Sequence, residues 1–178
     1  MGILGGAGGC AAPAPPAATT APAVELHLVD HERLLAEVAA RKGRVVVLDC
    51  WSTSCPPCVR EFPGLVALAR SHPAEVSCLS LALDYDGRGA PEDAAPTVRG
   101  FLERVGAGGV FNMLAREEAD IMYRKLRLVS VPAVYVWRAD GSLAVRFDDD
   151  HASRVLGRPF TYDDVAVVVR DLLAGEAL

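Results

Sequence analysis

The stretch CWSTSCPPCVREFP, residues Cys50 to Pro63, holds three of the chain's five cysteines. Two of them, Cys55 and Cys58, bracket Pro56 and Pro57. A pair at that spacing can carry electrons, supply half of a metal site or close a small disulfide loop, and the flanking sequence decides between these. Upstream, Arg44–Trp51 is a nearly continuous β-branched run, the pattern of a strand buried on both faces. Downstream, apolar Leu65, Leu68 and Ala69 lie on a helix that runs to about Arg70, and Val76–Leu83 is the next buried strand. A cysteine pair that follows a buried strand and opens a helix within a β-α-β unit has a redox mechanism available to it.

At a helix N-terminus, unpaired N–H groups and the helix dipole favour a thiolate on Cys55, lowering it below the free value of about 8.5 and making it the attacking sulfur. Cys58, one turn further in, is placed to resolve the mixed disulfide. Pro56 and Pro57 fall in the first helical turn, where a missing N–H has no partner to lose. Asp49 interrupts the apolar run, and a carboxylate on a doubly buried strand is costly without work or a partner. Alternation puts it on one face with Val45 and Val47, under the cysteine helix. Burial there would raise its pKa and make it a proton acceptor for Cys58. The competing reading is a strand that ends early and leaves Asp49 in water. Val131-Pro132 is the third feature. A proline in a strand-like run needs an edge or a special turn, and a cis bond would leave the preceding backbone open to an extended client beside the cysteines.

The whole chain sets the frame for this site. Its 178 residues are enough for one domain with a real core plus a tail, and 51% hydrophobic against 23% charged residues is globular. A net charge of −5 argues against a nucleic-acid or anionic-membrane surface. Residues 1–23 carry no charge and are mostly Ala, Gly and Pro, which reads as a flexible leader or tether ahead of a domain spanning 24–178. Within the leader, Ala7-Gly8-Gly9-Cys10 resembles a bacterial lipoprotein box with Cys10 as the lipidated residue. The alternative is an unstructured tail with an incidental cysteine. An extracytoplasmic, tethered location rests largely on Cys10, with the cytoplasm as the other option.

Along the domain, Val24–Val29 reads as an edge strand and Asp30 as the cap of a helix over His31–Arg41, with Leu34, Leu35 and Val38 on its inner face. Tyr85–Pro96 carries loop signals. A helix over Thr97–Val105, a strand near Val110–Met113 and a helix over Glu117–Leu126 follow. Val129–Trp137 is the proline-containing strand, Asp140-Gly141 turns into a strand over Ser142–Phe147, and Asp148–Asp150 reads as a solvated loop. Thr161–Leu173 is a capped amphipathic helix. The order predicts an α/β fold, a mixed central sheet with helices on both faces and an αβ insertion.

Taken together, Asp49-x-Trp51-x-x-x-Cys55-x-x-Cys58, Pro63 and Val131-Pro132 resemble the thioredoxin superfamily. The Cys-Pro-Pro-Cys sequence, Glu61-Phe62-Pro63 and the insertion resemble its TlpA/ResA-like extracytoplasmic thiol-disulfide oxidoreductases, over about Val24 to Leu173. The resemblance implies a protein-disulfide reductase with Trp51, Pro56, Pro57, Val131 and Pro132 at the client surface and no cofactor or metal. It also implies a disulfide-containing client (cytochrome c maturation factors or another extracytoplasmic protein), a membrane thiol-disulfide electron donor, and a monomer without nucleic acid. Two positions depart from the pattern: Ser54 stands where an aromatic is usual, and Cys50 where Phe is. Other readings fit less well. Zinc would need a second cysteine pair at knuckle spacing, and copper delivery a wider pair and a later His. A peroxidase needs a Thr two or three residues before its cysteine, which Thr53 supplies, but the double-proline pair fits exchange better. A disulfide closing so small a loop is a poor staple. An oxidant or isomerase, and a tethered interaction module with dormant chemistry, remain as alternatives. Cys50 and Cys78 are expected to be core residues.

Overall fold

The computed structural model describes residues 22–176. The lipoprotein reading of Cys10, and all but two residues of the leader, lie outside that range.

Six strands form one sheet in the order β1-β4-β3-β2-β5-β6. They are β1 (Leu26–Val29), β2 (Val45–Trp51), β3 (Val76–Ala82), β4 (Phe111–Ala115), β5 (Ala133–Trp137) and β6 (Leu143–Phe147). The helices are α1 (His31–Ala39), α2 (Pro56–Ser71), α3 (Ala95–Val105), α4 (Ala119–Leu126), the single turn α5 (Asp149–His151) and α6 (Tyr162–Leu173). Strands β1 to β4, joined through helices, pair in parallel. Strand β5 returns antiparallel beside β2, and β6 closes a hairpin on it. This is the predicted α/β architecture. No described helix is long and apolar enough to cross a membrane.

Strand β2 lies inside the sheet and every one of its residues is buried. Its two rows enter separate cores. Val45, Val47 and Trp51 pack with residues of α2, α3 and α6, whereas Val46, Leu48 and Cys50 pack with residues of α1 and α4. On the first side, Trp51, Phe62 and Phe101 stack in tilted or edge-on pairs with ring centroids 4.7, 4.8 and 5.3 Å apart. Such aromatic pairs contribute about 0.5–1.5 kcal/mol each beyond the area they bury. They anchor the start of α2 to the sheet.

Five expectations need correction. Strand β5 begins at Ala133 rather than Val129, because Pro132 has no N–H to give the ladder and Val129 is exposed. The segment Tyr85–Pro96 is not all loop: a 3-10 turn spans Pro91–Ala94 and α3 starts at Ala95, with Pro96 tolerated in its first turn. Leu35 is half exposed, so Leu34 alone of that pair enters the core. Helix α4 starts at Ala119, because Glu117 is engaged elsewhere: it accepts from the His31 N–H and pairs with Lys125. The three aspartates are not a solvated loop. Asp148 is buried, accepts the His151 N–H at 2.9 Å as the cap of α5 and pairs with Arg146 at 2.6 Å.

Candidate active site

Cys55 and Cys58 are joined in a disulfide, with their Cα atoms 5.3 Å apart. Cys55 is the cap residue of α2, in extended conformation, and Pro56 and Pro57 fill the first helical positions. The Cys55 Sγ accepts the Cys58 N–H at 3.2 Å. A sulfur held by a helix-start N–H is one whose negative charge is stabilised once the disulfide opens. Exposure distinguishes the two sulfurs: Cys55 is partly exposed, while Cys58 is 1% exposed in the core. An incoming disulfide therefore reaches Cys55 first.

The Val131-Pro132 peptide bond is cis. It places the Val131 carbonyl 3.5 Å from the Cys55 Sγ, while Val131 and Pro132 are both partly exposed and Pro56 and Pro57 are exposed. These four residues border the accessible sulfur. Trp51 does not. It is fully buried under α2, in the aromatic cluster, and its expected place on the client surface is corrected to the core. The alternation that buries Asp49 buries Trp51 beside it, which the resemblance alone did not reveal.

Asp49 is 2% exposed. Its Oδ2 accepts the Tyr162 hydroxyl at 2.7 Å, and its Oδ1 is buried without a hydrogen-bond partner among the described residues. Burial pushes its carboxyl up to about 7, opposed by the Tyr162 hydrogen bond, which favours the charged form. The reading in which Asp49 is solvated is thereby excluded. Contrast the neighbouring buried Asn112, whose Oδ1 accepts from Ser80 and whose amide nitrogen donates to two carbonyls. Asn112 is satisfied; Asp49 keeps one oxygen open.

Two contributors were missed at the level of sequence. Tyr162 sits 113 positions from Asp49, and nothing local marks the contact. Asp84, just beyond β3, accepts from the Thr53 N–H at 2.9 Å, from the Thr53 hydroxyl and from the Ser52 hydroxyl at 3.3 Å. It ties down the turn before Cys55. A lone acid closing a buried apolar strand was the available signal. Ser54 is exposed and its N–H donates to Ser52 Oγ at 3.2 Å, so no aromatic covers this side of Cys55. Cys50 and Cys78 are unpaired and buried. Burial pushes the Cys50 thiol well above its usual range and the Cys78 thiol up to about 12, so both stay protonated in the core. Among the described residues, no group of three or more His, Cys, Asp or Glu side chains is placed to hold a metal ion.

No family model matches the chain. It is 25% identical over 157 residues to the thiol:disulfide interchange protein HelX of Rhodobacter capsulatus, covering 88% of this chain and 77% of the relative. Among solved structures, a secreted Mycobacterium tuberculosis disulfide oxidoreductase homologous to E. coli DsbE aligns with a TM-score of 0.55 and 21% identity, over 74% of this chain and 84% of that one. A thioredoxin-family thiol:disulfide interchange protein of Chlorobium tepidum gives 0.55 and 17%, over 76% and 83%. The chain is a thioredoxin-fold protein. Within that fold it places a disulfide-bonded cysteine pair at the start of α2, a cis-proline beside it and a buried acid behind it.

Proposed function

We propose that this protein is a thiol-disulfide oxidoreductase that reduces disulfides of client proteins outside the cytoplasm. The observation that carries the reading is the Cys55–Cys58 disulfide at the start of α2, with one sulfur accessible and the other buried. In the reduced protein, the Cys55 thiolate attacks a client disulfide. A Cys55–client bond forms and the first client thiolate leaves. Cys58 then gives its proton to Asp49 and attacks Cys55 Sγ. The Cys55–Cys58 bond forms, the Cys55–client bond breaks, and the second client thiolate departs with the electron pair and is protonated from solvent. Two electrons pass to the client, and the client disulfide becomes two thiols.

Pro56, Pro57, Val131 and Pro132 form the client groove in this reading, with the Val131 peptide offered as a partner for extended backbone. Trp51 contributes from beneath, by holding α2. The chain works as a monomer and needs no cofactor, since the two thiols hold the electrons. A membrane thiol-disulfide transporter restores the dithiol. The likeness to an interchange protein and to a secreted oxidoreductase supports the extracytoplasmic site. Cys10 as the lipid anchor rests on the lipoprotein-like box Ala7-Gly8-Gly9-Cys10, and cytochrome c maturation factors as the client class rest on the TlpA/ResA-like resemblance.

Direction is tested by the reduction potential of Cys55–Cys58, measured by equilibration with dithiothreitol or glutathione and thiol trapping. A reductase requires a low potential, with the oxidised form favoured against glutathione. A high potential would overturn the reductase assignment in favour of a disulfide donor or isomerase. No reversible transition would leave a tethered interaction module.

A further inference from the structure

Helix α6 reaches the active site through one residue. Asp164 Oδ2 accepts from the Thr161 N–H at 2.9 Å and from its hydroxyl at 3.3 Å, which fixes the helix start so that its first turn begins at Tyr162. The Tyr162 ring turns inward and is 7% exposed. It lies directly on α2 at Gly64, where an added Cβ would stand 2.2 Å from Tyr162 Cβ and 2.5 Å from Cγ. Any larger residue at 64 would lift the ring away. Seated there, the phenol reaches Asp49 Oδ2 at 2.7 Å, and Oδ1 is left buried and unpartnered among the described residues.

We propose that Tyr162, seated by Gly64, is a positioning residue for thiol-disulfide exchange: it holds Asp49 Oδ2, so that Oδ1 is the atom that takes the Cys58 proton. The proposal rests on reading Asp49 as the proton acceptor. A carboxylate free to rotate would present either oxygen; one held on Oδ2 presents a fixed acceptor on the side of the sheet where Cys58 is buried.

Among the described residues, Tyr162 is the group that hydrogen-bonds this acid, against the larger effect of burial. From β2, Cys50 points to the opposite core, and from β3, Cys78 and Ser80 face the Asp49 side. Both thiols are held protonated by burial, and Arg44 acts on Cys78. Ser80 is spent on Asn112. From β5 comes Val134, from α3 Phe101, and from α2 the cysteine pair with Phe62. Tyr162 itself is held neutral by burial and by the Asp49 charge, so it remains a donor.

The test follows reduction of the chromogenic disulfide dithiobis(nitrobenzoate) by the reduced full chain. The first phase reports attack by Cys55 and the second reports resolution by Cys58, each measured against pH. We expect Tyr162→Phe to raise the pH midpoint of the second phase by about one unit, which slows it roughly fivefold at pH 7. Asp49→Asn is expected to remove that inflection, and adding Tyr162→Phe to it should change nothing further. Site-specific fluorotyrosine at 162 keeps the packing but strengthens the donor, and should move the midpoint down; it decides the matter should the Phe variant fold poorly. An Asp49→Asn inflection equal to the wild type would overturn the proton-acceptor reading and the proposal with it. An inflection lost in Asp49→Asn but unmoved by both changes at Tyr162 would overturn the positioning role alone. Absence of any second phase would sink the dithiol mechanism itself.

Discussion

Strand β2 presents Asp49 to one side of the sheet and Cys50 to the other, and both side chains are sealed from water. Burial acts on the two alike, raising the pKa of each by disfavouring its charged form. The consequences differ. A thiol raised from an already alkaline value simply stays neutral, packs as a small apolar group and does nothing more. A carboxyl raised to about 7 is brought into the range where it can exchange protons. The side that holds Asp49 also holds Cys58 and the Tyr162 hydroxyl, while the side that holds Cys50 is closed by the aliphatic residues of α1 and α4 and by Tyr135. Chemistry follows the face on which a polar atom has been left unmatched.

That contrast can be broken by experiment, and the largest expected effect is on stability. Asp49 has an ordinary value of 3.8 when exposed in the unfolded chain and about 7 in the fold. Between those values the folded chain binds the proton and the unfolded chain does not. Stability from this group is therefore full below pH 4, declines as the pH rises toward 7 and is flat above it, a loss of about 4 kcal/mol. Asp49→Asn should abolish this slope in denaturant titrations at pH 4.5, 6 and 8 and be the more stable protein at pH 8. An unchanged slope would mean that Asp49 is ionised throughout.

Exchange kinetics sharpen the comparison next. Asp49→Asn should slow resolution by Cys58 about 100-fold at pH 7, the lower range for removing a proton acceptor. Cys50→Ala, one residue along, should leave the rate within twofold and cost about 1 kcal/mol of stability through a small cavity. Equal effects on both would erase the distinction between the faces. The smallest effect is expected at Tyr135, whose hydroxyl donates to the Leu126 carbonyl at 2.7 Å on the Cys50 side. Tyr135→Phe should lose about 1 kcal/mol in thermal unfolding and leave the pH profile of exchange untouched.

Much of the site was legible because local rules governed it. Period-two alternation put Asp49 inward, a helix start put Cys55 outermost and Cys58 beneath, and a proline in a strand-like run marked the cis bond at Val131-Pro132. Where reading failed, the deciding contact was remote or subtle. Trp51 obeyed the same alternation as Asp49, yet its resemblance to a family position suggested the client surface instead. Asp148 became a buried cap because Arg146 two residues earlier neutralises it, and a run of three acids conceals that. Tyr162 and Gly64 look like an ordinary helix start and an ordinary helical glycine. Only the packing of α6 on α2 gives them a joint meaning.

The Asp49–Tyr162 pair also sets an order of events while the chain is being made. Asp49 leaves the ribosome 113 residues before its partner, a lag of roughly 6 to 23 s at ordinary rates of synthesis. During that interval the sheet around β2 lacks its last helix, and the carboxylate has no hydroxyl to meet it. A nascent chain stalled before Phe160 should thus carry an Asp49 without the hydrogen bond that favours its charged form. Maturation of the site therefore waits for α6 to dock on α2 rather than for the cysteines to emerge.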